Sequence, residues 1–392
     1  MMDLLSAEAR RNPFPIYDAL RARAPVLHDP ASDLWMLLDY ESVHRALHEP
    51  ETFSSRAAVR GGRPLDWLIF FDPPRHTKLR ALVLRAFTPR VVAGLEPRIR
   101  EIAATLLDAV IERGEMDVAA DFSVPLPLMV IAEMLGIPIA DRPQFRRWSD
   151  VILDLAESVA GSADAPRAAS GYAAATVEMR AYVSALVAER RAAPRDDLLG
   201  RLVAAEVDGE ALTEDDILGF FQLLLVAGSE TTTNLIANTV VCLVDHPAER
   251  ARLAATPSLL PSALEEVLRF RTPVQAVFRQ TTRDVAVQRL TIPAGKLVLA
   301  VVGAANRDPR RFPEPGRFDI GRDPNPHVAF GHGIHFCLGA ALARLEARIA
   351  LAEFFARIRE FAPATDAAWE PRKAFHVHGP ARFPIRFEPS RS

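Results

Sequence analysis

Residues 330–339 read FGHGIHFCLG, and the residues that follow are rich in alanine, leucine and arginine, which predicts an amphipathic helix. Cys337 therefore stands at a helix entrance, where free backbone N–H groups and the helix dipole favour a thiolate over a thiol. Gly331 and Gly333 permit a tight turn that brings backbone amides near the sulfur, and Gly339 lets a flat object approach the first helical turn. The pattern predicts that the Cys337 sulfur is a ligand.

Other interpretations of Cys337 are open from the residues of its loop. A lone cysteine is commonly a buried structural residue. A zinc site could use His332 and His335 as further ligands, although structural zinc takes four ligands and no second cysteine lies nearby. The combined spacing of Phe330, two glycines, histidine, cysteine and a third glycine favours haem instead, with Phe330 shielding one side of the sulfur from water.

The loop resembles that of the cytochrome P450 family, in particular its soluble bacterial members, and the resemblance covers nearly the whole chain. It implies a mainly α fold with small β-sheets (α+β), a single-domain cytochrome P450 fold across residues 1–392. It implies haem b, with Cys337 as the axial iron ligand that pushes electron density towards the iron and favours O–O cleavage. The residues that it places against the haem are Ala227, Phe330, Gly331, His335 and Gly339.

The composition is that of a globular protein with little net charge. Hydrophobic residues make up 49% of the 392 residues and charged residues 25%, and the formal net charge is −3. With acids and bases interspersed, no overall field attracts nucleic acid or a membrane. The two cysteines, Cys242 and Cys337, form no disulfide framework, and charges and prolines interrupt the first 25 residues. We expect a cytoplasmic monomer without signal peptide or membrane anchor, and Cys242 as a small core residue.

The chain reads as one predominantly helical domain. Residues 73–245 have helical composition, and a long central helix is predicted over about residues 213–245. No repeat or linker divides the chain. Residues 306–330 predict an irregular loop, and Val159 to Ala169 a mobile one. Stretches that predict strands are 34–38, 285–301 with a turn at 293–295, 375–378 and 383–387.

Residues 223–232 read LLLVAGSETT, in which an acid and hydroxyls interrupt the buried face of a helix. Taken alone, Glu230 could begin a solvated end and Thr231 could bond to the preceding turn, but the helical pattern continues beyond them. The segment resembles the central helix of the family, where Gly228 allows local widening. The resemblance makes Thr231 a hydrogen-bond partner of the activated oxygen and Glu230 a proton relay, as in oxygen-dependent members.

Glu266 and Arg269 are spaced i, i+3 on a predicted helix from Ala263 to Phe270, so they can pair on one face. Most such pairs are exposed and contribute little to stability. The resemblance makes them the family's Glu-x-x-Arg motif, a buried ion pair that anchors the loop before the cysteine. Arg317 would be its third member, and all three belong to the scaffold.

Haem carries two propionates that need cationic or hydrogen-bonding partners. The Asp72-Pro73-Pro74 sequence predicts a helix start capped by Asp72, after which His76 and Arg80 fall i, i+4 on one face. The resemblance assigns both to the propionates, together with Arg279 and His335.

The resemblance implies a monooxygenase that activates dioxygen and inserts one oxygen atom into a lipophilic small molecule, commonly at a C–H bond. Because no flavin or iron–sulfur segment is visible, electrons come from separate partners, by resemblance a ferredoxin and a ferredoxin reductase that dock on the cysteine side. Arg344, Arg348 and Arg85 could contact the ferredoxin, or be ordinary solvated arginines.

Positions matched to the family give a nearly all-apolar cavity, which predicts a fatty acid, terpenoid, steroid or macrolide-like substrate. Arg60 or Arg63 could hold a carboxylate. His376 and His378 alternate, but two residues make an improbable metal site; His376 could instead donate a hydrogen bond to the substrate. The predicted substrate residues are Trp67, Leu68, Ile69, Leu223, Val226, Ala227, Val274, Gln275, Ala276, Val277, His376 and Val377.

Other functions remain open from the residues. One is a peroxide-driven haem-thiolate enzyme, which would turn over with peroxide and not with electron donors. A haem-based sensor would leave Glu230 and Thr231 without a task, and no effector segment is attached. A helical interaction protein without haem would lack a Soret band.

Overall fold

The computed structural model describes residues 6–56, 65–158, 165–366 and 368–390. The chain forms two compact units. The first comprises Met1–Ser54, Glu96–Leu126 and Thr231–Ser392, and the second comprises Ser55–Leu95 and Pro127–Glu230. That the whole chain is one domain stays a prediction. Arg60, Arg63 and residues 159–164 of the predicted mobile loop lie outside the described residues, and residues 165–169 belong to a helix.

The described residues are mainly helical, as predicted. Besides the α-helices, residues 118–123 and 224–228 form π-helical turns. The α-helices are α1 (Ala7–Arg11), α2 (Phe14–Arg23), α3 (Tyr40–His48), α4 (Arg75–Ala86), α5 (Pro89–Gly94), α6 (Glu96–Ile111), α7 (Pro125–Met134), α8 (Arg142–Ser158), α9 (Ala165–Ala192), α10 (Leu198–Ala204), α11 (Glu214–Leu223), α12 (Glu230–Asp245), α13 (Pro247–Ala255), α14 (Leu260–Phe270), α15 (Val302–Ala305) and α16 (Ala340–Arg357).

The strands are short, and most belong to the first unit. A five-stranded sheet has the order β1-β2-β10-β7-β3, in which β2 and β10 are parallel and the other neighbours antiparallel. The strands are β1 (Val26–Asp29), β2 (Leu34–Leu37), β3 (Phe53–Ser54), β4 (Glu115–Asp117), β5 (Glu206–Val207), β6 (Glu210–Ala211), β7 (Val277–Thr281), β8 (Val285–Val287), β9 (Leu290–Ile292), β10 (Leu297–Ala300), β11 (Ile358–Pro363), β12 (Glu370–Pro371), β13 (Pro380–Arg382) and β14 (Pro384–Pro389).

Both faces of this sheet are buried. Side chains alternate between faces along a strand, so Leu37 and Val298 join one apolar cluster while Met36 and Leu299 join another. Burial of both faces explains why β2 and β10 are continuous apolar runs rather than alternating ones. In the same unit, α16 packs against α6 and α14.

Polar side chains fix the helix ends of the second unit. Thr213 and Asp216 form a reciprocal capping box at the start of α11. Asp197 caps α10 by accepting a hydrogen bond from the Gly200 amide at 2.7 Å, and it pairs with the buried Arg190 of α9 at 2.8 Å. The helix α9 also packs against α8 and α11, so α8, α9, α10 and α11 of the second unit pack together.

The N-terminal helices are tied firmly into the first unit. The Arg307 guanidinium lies between the rings of Phe14 and Phe270, 3.7 and 3.8 Å from their centroids. Burial, and then the charges of nearby arginines, lower the pKa of Arg307 to about 9. The Arg11 side chain donates a hydrogen bond to the Trp369 carbonyl at 2.9 Å. The first 23 residues are therefore part of the fold wherever they are described.

One predicted strand is wrong. Residues 383–387 lie almost wholly in β14, but residues 375–378 form a turn with a single bridge between Val377 and Val274. The His378 amide donates to the Pro273 carbonyl at 2.8 Å, so this segment pairs with a loop and not with a strand. Alternation along four residues cannot tell the two apart.

Within the described ranges, every helix is too short or too polar to cross a lipid bilayer.

Candidate active site

The cysteine loop folds back on itself just before α16. The Cys337 amide donates a hydrogen bond to the Phe330 carbonyl at 2.8 Å, and Gly339 forms the N-cap of the helix. Gly331 and Gly333 have φ angles of 73° and 68°, a left-handed conformation that favours glycine. The tight turn predicted from these glycines is confirmed.

Neighbouring atoms leave no room for a side chain at Gly333, whereas the space around Gly339 is open. A Cβ at Gly333 would lie 2.9 Å from the Leu47 carbonyl oxygen of α3, whereas a Cβ at Gly339 would meet no heavy atom within 4 Å. The Cys337 side chain is partly exposed, whereas Cys242 is fully buried, and burial raises the pKa of the Cys242 thiol to about 12. Of the two thiols, Cys337 is the one that a ligand can reach.

The central helix widens as predicted near Gly228. Residues Leu224–Gly228 follow a π-helical path between α11 and α12. The Leu225 carbonyl accepts a hydrogen bond from the Ser149 hydroxyl of α8 at 3.0 Å and another from the Ser229 hydroxyl. Two side-chain hydroxyls thus bond a single carbonyl of the widened turn.

Glu230 and Thr231 follow this turn directly, in the first turn of α12. The side chain of Glu230 is buried, and that of Thr231 is partly exposed. A Cβ at Gly228 would lie 2.7 Å from Cδ1 of Ile131, so glycine is what lets α7 approach the helix here. The catalytic roles of the acid and the hydroxyl stay predictions.

Glu266 and Arg269 form a fully buried ion pair. The Nε and Nη2 atoms of Arg269 each donate to a Glu266 carboxylate oxygen at 2.7 Å, and both side chains are 0% exposed. Arg269 also donates to the backbone carbonyls of Asn306, Pro315 and Arg317. The pair therefore holds the irregular loop through its backbone, as the motif predicts.

The prediction that Arg317 completes the pair is wrong. Its exposed side chain pairs with Glu314, and only its backbone carbonyl contacts Arg269. Arg322 takes that place: its Nε donates to both Glu266 oxygens at 3.2 Å. The Asn325 side chain donates to the same carboxylate at 3.2 Å, and the Asp319 backbone amide donates at 3.1 Å. With Arg269 and Arg322, the Glu266 carboxylate therefore has four donor residues. Sequence reasoning missed Arg322, Asn325 and Asp319 because they lie more than 50 residues away.

The predicted propionate ligands occur in both units. In the second, His76 is buried on α4, and burial, followed by the charge of Arg80, lowers the pKa of its imidazole. In the first, Arg279 is largely buried in β7 and donates to the Phe278 carbonyl at 2.8 Å, and His335 is partly exposed in the cysteine loop.

The N-cap residue of α4 is Pro74 and not Asp72, contrary to the prediction. Its carboxylate accepts a hydrogen bond from the Ser55 amide at 2.9 Å, and its backbone carbonyl accepts one from the His76 amide at 3.0 Å. Pro74 occupies the N-cap position without a side-chain hydrogen bond. Asp72 therefore joins the helix start to the segment before it.

In the second unit, the predicted substrate residues line up along two elements. Trp67 and Leu68 are buried and Ile69 is 41% exposed, and Leu68 and Ile69 lie in a short 3₁₀ turn that starts after Trp67. Leu223 is buried at the end of α11, while Val226 and Ala227 are more exposed within the π-helical turn. Their contact with substrate stays a prediction.

In the first unit, the structure brings some predicted substrate residues together and excludes others. Val274 bridges Val377, and the Gln275 amide donates to the His376 carbonyl at 2.8 Å. Burial lowers the pKa of His376 to about 4, so its imidazole is neutral at pH 7. Val277 is half-buried against the apolar cluster of Leu37.

Gln275 and Ala276 face the core, which corrects their assignment to the substrate cavity. The Gln275 side chain donates from Nε2 to the Thr272 carbonyl at 2.7 Å, and a Cβ at Gly303 would lie 2.1 Å from its Oε1. Ala276 is 4% exposed and belongs to the apolar cluster that contains Phe14. Both residues precede β7, and these interior contacts hold their side chains inside the fold.

The candidate docking arginines differ in how far they are already engaged. Arg344 donates two hydrogen bonds to Glu265 at 2.7 and 2.8 Å and covers the Phe330 ring at 4.3 Å. Burial would raise the pKa of Glu265, but hydrogen bonds from Arg344 and His327 outweigh it and lower that pKa to about 2. Arg348 pairs with Glu96 at 3.3 Å, and Arg85 is exposed.

Comparisons with known proteins agree on one family. The cytochrome P450 family model matches residues 26–255 and 257–372. Cytochrome P450 109 of Bacillus spizizenii is 41% identical over 390 residues, which cover 98% of this chain and 94% of that protein. The vitamin D(3) 25-hydroxylase of Pseudonocardia autotrophica is 42% identical and covers 99% of this chain and 96% of its own.

The fold is shared with a solved structure. Substrate-free CYP109E1 of Bacillus megaterium gives a TM-score of 0.91 at 40% identity, covering 97% of this chain and 100% of that one. The same enzyme in complex with corticosterone gives a TM-score of 0.88 at 40% identity and covers 97% and 99%.

Arg322→Ala should lower the free energy of unfolding by about 1–3 kcal/mol, because it removes a charged hydrogen-bond donor from the buried Glu266 carboxylate. Arg317→Ala is the matched control and should change it by less than about 0.5 kcal/mol, because that side chain is exposed. Urea denaturation followed by circular dichroism measures both. Equal losses for the two variants would contradict the assignment of Arg322 as the third member.

Proposed function

The chain belongs to the cytochrome P450 family of haem-dependent monooxygenases, and from this premise we propose that Cys337 is the thiolate ligand of its haem iron. The enzyme activates dioxygen and inserts one oxygen atom into a lipophilic small molecule. One observation carries the assignment of Cys337: it is the accessible thiol of the two, in a glycine turn at the start of α16 with open space at Gly339. A thiol beside open space suits a flat cofactor.

The proposed form of the cofactor is haem b. Covalent attachment would require a Cys-x-x-Cys-His sequence, and the two cysteines are at residues 242 and 337. His76, Arg80, Arg279 and His335 are the proposed propionate partners. Their chemistry supports this, because arginine and histidine side chains donate the hydrogen bonds that a carboxylate accepts.

The haem supplies reductive activation of dioxygen, from which one oxygen atom enters the substrate and the other leaves as water. The chain's own residues manage geometry and protons. In the proposal, the Thr231 hydroxyl donates a hydrogen bond to dioxygen, and the Glu230 carboxyl passes on protons that come from solvent. The widened turn at Leu224–Gly228 supports these roles, because both side chains follow directly after a break in regular helical bonding.

The proposed substrate is a steroid-sized lipophilic molecule. Trp67, Leu68, Leu223 and Val226 are apolar, and a neutral His376 can donate one hydrogen bond to a hydroxyl or carbonyl oxygen. Two relatives support this class: one is named a vitamin D(3) 25-hydroxylase, and another was crystallised with corticosterone.

The enzyme depends on separate redox partners, and we propose that these are a ferredoxin and its reductase, which would also fit a cytoplasmic location. Arg348 and Arg85 are better candidate contacts than Arg344, whose guanidinium is held by two hydrogen bonds to Glu265. We propose that the enzyme is a monomer and a single domain.

Cys337→Ala should abolish the thiolate-type absorption band of the reduced carbon monoxide complex, because no thiolate would then bind the iron. Cys242→Ala is the control and should retain the band, since its thiol is buried and protonated. The measurement is a difference spectrum of dithionite-reduced protein with and without carbon monoxide. Retention of the band in Cys337→Ala would refute the ligand assignment.

Corticosterone should shift the Soret band of the ferric enzyme and sucrose should not, because the residues proposed to contact the substrate are mostly apolar. His376→Ala should weaken corticosterone binding roughly three- to tenfold, the effect of losing one hydrogen bond. Both are read from optical titrations. A shift produced by polar compounds and not by steroids, fatty acids or terpenoids would contradict the proposed class.

Arg348→Glu should lower the turnover rate with a [2Fe–2S] ferredoxin and flatten its dependence on salt concentration, since a docking cation becomes an anion. Arg359→Glu, in the exposed part of β11, is the control and should leave both unchanged. Steady-state turnover from about 50 to 300 mM salt measures the effect. Identical salt dependence in wild type and Arg348→Glu would exclude Arg348 from the docking surface.

A further inference from the structure

Gln222 is a single polar residue inside the apolar run Phe220–Leu225 of the central helix. Its side chain is 4% exposed. A buried side-chain amide of this kind must find hydrogen-bond partners inside the protein. Without them, it loses the hydrogen bonds that it makes to water in the unfolded chain and gains none in return.

Three side chains satisfy this amide. The Gln222 Oε1 accepts a hydrogen bond from Trp67 Nε1 at 3.1 Å and another from the Tyr172 hydroxyl at 3.0 Å. The Gln222 Nε2 donates to the Thr176 hydroxyl at 3.2 Å. Because an indole N–H can only donate, the atom facing Trp67 must be the oxygen, and the orientation of the amide is fixed. Both lone pairs of the carbonyl are then in use.

The backbone before Trp67 rests on the same helix, one turn earlier. A Cβ at Gly219 would lie 2.3 Å from the Asp66 carbonyl oxygen. Glycine at residue 219 therefore allows the segment Leu65–Phe71 to contact α11. Three residues later on the same helix, Gln222 bonds the indole of Trp67. The remaining partners, Tyr172 and Thr176, lie one turn apart on α9.

We propose that Gln222 is a positioning residue that selects substrates through Trp67. Its carbonyl holds the indole, and with it the segment Leu65–Phe71, in the conformation that receives the substrate. This inference rests on the proposed function, in which Trp67 and Leu68 contact the substrate. Without the carbonyl, the indole N–H loses its acceptor and the segment gains alternative conformations that bind substrate less well.

The first test needs no substrate. The amides of Phe70 and Phe71 donate to the Trp67 and Leu68 carbonyls, so they report the order of the segment. In the holoenzyme, Gln222→Leu should speed their hydrogen exchange roughly three- to tenfold. Tyr172→Phe removes one hydroxyl from the cluster and should act in the same direction. Tyr182→Phe is its matched control, because Tyr182 lies on the same helix but bonds Asp141 at 2.7 Å.

The second test compares ligands. Gln222→Leu should weaken corticosterone binding roughly three- to tenfold and leave binding of imidazole, a small haem ligand, unchanged. Trp67→Phe keeps an aromatic ring but loses the N–H, and the double variant should bind no more weakly than Gln222→Leu alone, because both changes break one interaction.

The outcomes separate the two proposals. Unchanged exchange at Phe70 and Phe71 in both Gln222→Leu and Tyr172→Phe would overturn the positioning role, and so would additive effects in the double variant. If the wild-type enzyme binds imidazole but not corticosterone, the proposed substrate class fails while the exchange experiment still decides the role of Gln222.

Discussion

The carboxylate of Glu266 is sealed from water, and a charge in that position is tolerated only when the protein supplies every partner that water would have supplied. Arg269 provides a bidentate contact, and Arg322, Asn325 and the Asp319 amide provide the rest. Asp319, Arg322 and Asn325 come from a stretch without helix or strand, so the need to satisfy one buried charge determines the path of that stretch. The cysteine loop begins at the end of that path. The position of Cys337 thus depends on a residue that takes no part in the proposed chemistry.

Short-range patterns were the most predictable part of this chain. The left-handed conformations of Gly331 and Gly333, the place of the widened turn at Gly228 and the pairing of Glu266 with Arg269 are each marked by residues close together in the sequence. Spacing along the chain contains that information, because helix and turn geometry convert it directly into proximity.

The wrong or missing predictions mostly concern contacts between residues that are far apart in the sequence. Arg322 bonds Glu266 across 56 residues, and nothing in the spacing separates it from Arg317, five residues earlier. Gln275 and Ala276 were assigned to a cavity by family position, but contacts with Thr272 and with the apolar cluster of Phe14 hold them in the interior. Residues 375–378 alternate like a strand, yet their partner is a loop. In each case a tertiary contact decides between local structures that the sequence permits equally.

The aromatic sandwich around Arg307 bears on where this protein can be trimmed. The family match starts at residue 26, and the first 25 residues carry little hydrophobic pattern. On these grounds alone, the segment could be omitted when the protein is expressed. Phe14, however, forms one side of that sandwich, and Arg11 closes a contact with the C-terminal part of the chain at Trp369. Cutting at the family boundary would leave a buried guanidinium half uncovered. Affinity tags are better appended to the whole chain than exchanged for its first two helices.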